Sequence, residues 1–196
     1  MWVRGAAIRP VPPYAVVPRE VLEGIEEELA AGGVSPSEKP DLDEAFRRFE
    51  RTQPALSQRA ANVLAENLDE TALALGYFLT ISVWLAFERA FGARLEEVTE
   101  DALAAAESSI AVEEELRAAH SEEPLDLEDV IGIEQPGVID FVNDHVEAAL
   151  EPNEREPRDV DVDDVHRVYR AILVMTVALS HAVAPASGTR AREMLA

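Results

Sequence analysis

Four histidines, His120, His145, His166 and His181, are the side chains from which chemistry in this chain would start. Asp163 and His166 stand three residues apart, a spacing that puts a carboxylate and an imidazole on one helical face. Asp140, Asp144 and His145 fall on the predicted helix before it. Asp144, His145, Asp163 and His166 together are hard oxygen and nitrogen donors of the kind that zinc, manganese or iron accepts. They would serve a metal-dependent helical enzyme. The plainer reading makes Asp163 a helix cap and leaves His145 and His166 on polar faces. Helical di-iron carboxylate proteins use a Glu-x-x-His pattern, and no such tetrapeptide occurs here. The plainer reading therefore stands, with no metal, cofactor or catalytic residue assigned. His181, inside an apolar run, reads as a buried and hydrogen-bonded histidine.

Other chemistries have less support. The chain has no cysteine, which excludes disulfides and thiolate metal sites. There is no Gly-x-Ser-x-Gly elbow, and Ser82 and Ser180 fall within helices needed as core. Neither Gly-x-Gly-x-x-Gly nor Gly-Lys-Ser/Thr is present, so nothing cradles a nucleotide phosphate. The acid runs Glu26-Glu27-Glu28 and Glu113-Glu114-Glu115 read as solvated helix faces.

Charge narrows the partners. Asp and Glu number 39 against 17 basic residues, of which only Lys39 is a lysine, giving a formal charge of −22. Such a surface repels nucleic-acid phosphates and anionic lipid headgroups. No nucleic-acid or membrane partner is expected; basic proteins, cations and water suit it. The plain explanation of the charge is solubility, or life at high salt. Met1–Pro10 is not a signal peptide, because Arg9 and Pro10 interrupt a short apolar run. A cytoplasmic location is the expectation.

The elements that must position these residues are helices. The 47% hydrophobic and 29% charged content fits a folded chain, and 196 residues suit one domain. Pro10, Pro12, Pro13 and Pro18 make residues 1–19 an extended arm, laid on the body through Trp2 and Tyr14. A single helical domain follows over residues 20–185, with a loose tail at 186–196. Its first helix covers Glu20–Ala31 and ends at Gly32-Gly33. The second runs from Leu42 to Arg51, with Asp41 as cap and Glu44 three residues on. Gln53-Pro54 separates it from a helix carrying Leu56, Ala60, Val63, Leu64 and Leu68. Thr71–Phe87 is uncharged and continues to Phe91-Gly92. Leu95–Ala119 is amphipathic, with Thr99 as an internal cap. Gly137–Leu150 and Asp163–Val183 are helical, and the charged stretch Glu151–Val162 between them is a loop. No strand signal competes.

The chain also reads as if written twice. Asp41–Ala45 leading to Gln53-Pro54 resembles Asp126–Val130 leading to Gln135-Pro136, 82 residues on. Leu79 and Leu85 align with Leu173 and Leu179 at an offset of 94. The excess of 12 matches the length of Glu151–Val162. Halves 41–92 and 126–184 follow. Thr71–Phe87 as a helix spans roughly 26 Å, short of the roughly 30 Å hydrocarbon layer, and its acidic flanks are poor anchors. The two apolar runs, Thr71–Phe87 and Ala171–Val183, are therefore expected at the centre of a bundle, side by side. Ala72, Gly76 and Thr80 would supply a flat strip for close approach, and Leu73, Tyr77, Phe78, Ile81, Trp84 and Leu85 would fill the interior.

The expected fold is all-α, a bundle of about six to eight helices with an extended proline-rich arm. The expected function is a non-catalytic intracellular interaction or regulatory module that binds another protein, with a homodimer as one form. The alternatives are an acidic DNA mimic that inhibits a basic protein, and the metal-dependent enzyme on Asp144, His145, Asp163 and His166.

Overall fold

Proline and glycine punctuate the chain where its helices begin and end. Pro54 and Pro136 each occupy the first helical turn, where a missing N–H leaves nothing unpaired. Gly92, at φ 53°, ends the longest helix in a conformation that favours glycine. The structure, a computed structural model, describes residues 10–30, 42–119, 134–151 and 160–186. These form seven helices: α1 (Arg19–Ala30), α2 (Leu42–Thr52), α3 (Pro54–Leu64), α4 (Glu70–Phe91), α5 (Glu100–Ala119), α6 (Pro136–Leu150) and α7 (Val162–His181). Among the described residues the fold is an all-α bundle, with one isolated bridge between Leu95 and Val183.

Several boundaries differ from expectation. The fifth helix starts at Glu100, not Leu95, and Thr99 Oγ1 caps it by accepting from the Ala102 N–H at 3.2 Å. Leu95–Val98 are not helical because Gln53, Ala182 and Val183 occupy their backbone groups. The last helix stops at His181, two residues early, for the same reason. The arm includes a 3-10 turn at Pro13–Ala15 and buries Val11, Ala15 and Val17, with Tyr14 packed on the core. Trp2, the Gly32-Gly33 stop, the Asp41 cap, residues 126–130, His120, most of the 151–162 loop and the tail from 187 lie outside the described residues.

The two Gln-Pro dipeptides are equivalent in structure. Gln53 has φ −138°, ψ 62° and Gln135 has φ −134°, ψ 56°, and both are 2% exposed or less. Gln53 Nε2 donates to the Glu96 carbonyl at 3.0 Å while its Oε1 accepts from the Val98 N–H at 2.9 Å. Gln135 does the same to the Ala15 carbonyl (2.7 Å) and the Val17 N–H (3.0 Å). Its second amide proton goes to Ser180 Oγ at 2.9 Å. Each glutamine thus holds the extended segment that leads into a helix of the other half of the chain: Gln53 the approach to α5, Gln135 the approach to α1. The correspondence extends beyond the expected halves, since α1 and α5 begin 81 residues apart, at Arg19 and Glu100. Leu22 and Ile25 are buried in the first, Leu103 and Ala106 in the second.

Helices α4 and α7 form the centre. At one end, the Asp161 N–H donates to Asp69 Oδ2 and the Asp69 N–H to Asp164 Oδ2, both at 2.8 Å. At the other, the Glu96 N–H reaches the Ala182 carbonyl and the Ala184 N–H the Arg94 carbonyl. Both N-termini meet and both C-termini meet, so the two helices run parallel. Around them α1 packs on α4 and α6, while α5 packs on α7 and α3. The close approach depends on the small strip: Ala72, Gly76 and Thr80 are buried, and a Cβ on Gly76 would lie 2.5 Å from Leu64 Cδ2 and 3.3 Å from Val168 Cγ2. Among the described residues α4 is the one helix long and apolar enough to cross a membrane, and 67% of its apolar window is buried inside the bundle. Tyr77 does not fill the interior as expected but is 48% exposed.

Substitutions at the two glutamines and at Gly76 test this frame. Gln135→Leu leaves a buried carbonyl and N–H unpaired and is expected to cost about 2–4 kcal/mol, with Gln53→Leu similar; denaturant unfolding of either variant within 0.5 kcal/mol of wild type, a threshold of roughly half one hydrogen bond, would contradict the account. Gly76→Val overpacks the α4 strip at an expected cost of about 1–3 kcal/mol. Adding Leu64→Ala, which removes the nearest clashing group, should make the two losses less than additive in a double-mutant cycle.

Candidate functional site

An open groove of about 560 Å³ lies where α1, α2, α4 and α6 splay apart. Helix α4 presents Ala74, Tyr77, Phe78 and Ile81 to it, one face at three- and four-residue spacing. Helix α2 adds Leu42 and Phe46, α1 adds Glu26 and Leu29, and α6 adds His145. The wall is aromatic: Phe46 meets Tyr77 edge-on at 5.9 Å, and Phe78 and Phe141 flank His145 at 4.7 and 4.4 Å. Leu42, 45% exposed, and Tyr77 form the mouth. Scattered surface leucines are ordinary, but here two large exposed side chains belong to one concave apolar face.

Salt bridges fix the helices that frame the groove. Arg48 on α2 grips the Glu88 carboxylate of α4 with two bonds at 2.8 and 2.7 Å, its guanidinium 5.3 Å from the Trp84 ring. Arg89 on α4 reaches Glu28 on α1 in the same bidentate way, Nη1 to Oε1 at 2.8 Å. Arg19 on α1 spans Glu23, Asp140 and Asp144. Its hydrogen bond to Glu23, and then the neighbouring charges, push the guanidinium still higher than usual.

These contacts decide the fate of the residues that the sequence put forward. Asp140 and Asp144 serve Arg19. His145 lies against Glu26 of α1 and Phe78 of α4, on the groove. Asp163 and His166 are exposed on α7, and the cap of that helix is Asp161, whose Oδ1 accepts from the Asp163 N–H at 2.9 Å. His145 is therefore not joined with Asp163 and His166; among the described residues no three His, Asp or Glu side chains stand together so as to hold a metal. His181 ends α7 half-buried. Ser180 is buried and its hydroxyl donates to the Thr176 carbonyl, a structural use. The groove is not legible in the sequence, because Tyr77 and Phe78 read there as interior. The available signal was Leu42, an apolar residue at the exposed start of a short helix.

A second hollow, about 130 Å³, lies between α3, α4, α5 and α7. Val168, Ala171, Ile172 and Met175 line it, each 94 residues after Ala74, Tyr77, Phe78 and Ile81 of the groove. Arg59, Arg167 and Arg170 at its edge are paired with Glu107, Asp164 and Glu114 respectively. The bond to Glu114 raises Arg170 further.

Glu28 gives a pH test of the frame. The hydrogen bond from Arg89 holds its carboxyl below the usual range. A depressed folded-state value stabilises above the unfolded value and is lost as pH falls through the folded one. Because the pair is largely solvated, Glu28→Gln is expected to cost only about 0.5 kcal/mol at pH 7 and nothing once the carboxyl is protonated at low pH. Equal loss in urea unfolding at both pH values would refute the pairing.

No protein-family model, no curated protein and no solved structure matches this chain.

Proposed function

We propose that the chain is a non-catalytic binding module of the cytoplasm, built from two copies of one helical unit, that presents the α1–α2–α4–α6 groove to another protein. The observation that carries this reading is the groove's composition: an aromatic and aliphatic lining, with Leu42 and Tyr77 at its mouth in contact with water. A pocket for a small ligand encloses most of that ligand, whereas this groove is open along one side and suits side chains that stay attached to a larger body. The charge of −22 favours a basic partner and opposes a second copy of the same chain. The equivalent glutamines and the recurring spacings of 81, 82 and 94 residues support the two-copy reading.

Leu42→Ser combined with Tyr77→Ser tests the face. Both side chains are half in water, so the double variant should unfold within about 1–2 kcal/mol of wild type. It should lose the proteins that wild type retains in affinity capture, and those proteins should be basic and released by added salt. Retention of the same proteins by both forms would reject the groove as the binding face.

A further inference from the structure

We propose that the Glu26–His145 edge of the groove seats the cationic head of a lysine or arginine side chain, borne on an apolar segment of a partner protein. The inference rests on the reading of the groove as a protein-binding face.

The imidazole fixes the chemistry. His145 Nδ1 lies 2.8 Å from the Phe141 carbonyl oxygen, which can only accept, so Nδ1 carries the proton. In the neutral ring Nε2 is then an acceptor. It faces Glu26 Oε1, another acceptor, across 3.6 Å, a pair that only a protonated ring closes by itself. With the ring neutral, two acceptors converge beside Phe78 and Leu29, and an ammonium or guanidinium supplies donors to both.

The other half of the chain provides an independent comparison. In the register that starts α1 at Arg19 and α5 at Glu100, Glu26 corresponds to Glu107. In the register of Pro54 and Pro136, His145 corresponds to Val63 and Phe141 to Arg59. Glu107 is ion-paired with Arg59. The site between α1 and α6 therefore keeps the acid and has Phe141 where the site between α5 and α3 has Arg59. The guanidinium that completes the α5–α3 site internally is left for a partner to bring at the α1–α6 site. A partner segment, rather than a free amine, fits because the apolar lining continues from the acid to the exposed Leu42 and Tyr77.

The test uses three synthetic amphipathic peptides, of Leu with Arg, Leu with Gln and Leu with Glu, titrated by fluorescence anisotropy into the full chain. The Leu/Arg peptide should bind, with Glu26→Gln and His145→Phe each weakening it about tenfold. His145→Phe keeps an aromatic ring between Phe78 and Phe141 while deleting the acceptor. Glu100→Gln, an exposed acid on α5, should leave affinity unchanged. Equal weakening by Glu100→Gln and Glu26→Gln would mean diffuse charge attraction and overturn the seat. Leu/Gln binding as tightly as Leu/Arg would also overturn it, while leaving the groove as a protein-binding face. Butylamine binding as tightly as the Leu/Arg peptide would make the occupant a small amine and overturn the proposal. Leu/Arg binding that survives Leu42→Ser with Tyr77→Ser would remove the groove reading and the seat together.

Discussion

Gln53 and Gln135 hold together parts of the chain that local forces leave apart. Each side-chain amide offers an extended backbone segment the donor and acceptor that a neighbouring strand would offer, in an interior otherwise made of helices. Buried backbone groups must find partners, and an extended segment has none of its own. The exchange is reciprocal: the first glutamine serves the approach to α5 and the second the approach to α1. The halves are therefore interlocked, not merely stacked, and Gly137 marks how tightly, since a Cβ there would lie 3.2 Å from Arg19 Cα.

That interlock delivers α4 and α7 to the centre as parallel helices, an arrangement that places like ends of two helix dipoles together. Carboxylates answer it. Asp69, Glu70, Asp161, Asp163 and Asp164 all sit at the shared N-terminal end, where the orphan N–H groups make negative charge favourable. Asp69 uses one oxygen to cap its own helix, through the Thr71 and Ala72 N–H groups, and the other to accept the Asp161 N–H. Arg89, Arg94 and His181 lie at the opposite end. Part of the acidity that composition assigns to solubility is thus structural.

The two halves diverge where function is proposed. The face of α7 that matches the groove-lining face of α4 borders a hollow of only about 130 Å³, edged by three arginines that each hold a carboxylate. The matching face of α4 borders about 560 Å³ and carries Tyr77 and Phe78, with Glu26 and His145 facing each other across 3.6 Å at its edge. Arg59 and Phe141, 82 residues apart, thus stand at a closed ion pair and at an open aromatic face respectively.

The helices are written locally: their 3.6-residue periodicity, the prolines at N1, the glycine after Phe91 and the small strip on α4 are signals legible without neighbours. The recurrence of Gln53-Pro54 and Gln135-Pro136 is legible in the sequence too, though not its reason, because a glutamine's partner lies 43 or 120 residues away. Tertiary structure alone decided that Leu95–Val98 stay extended, that α4 and α7 run parallel, and that Asp144 and His145 meet α1 instead of Asp163 and His166. It alone turned Tyr77 outward, since whether an aromatic on an all-apolar helix is buried depends on how far its neighbours splay. Periodicity reports which residues share a face; only packing reports what that face meets.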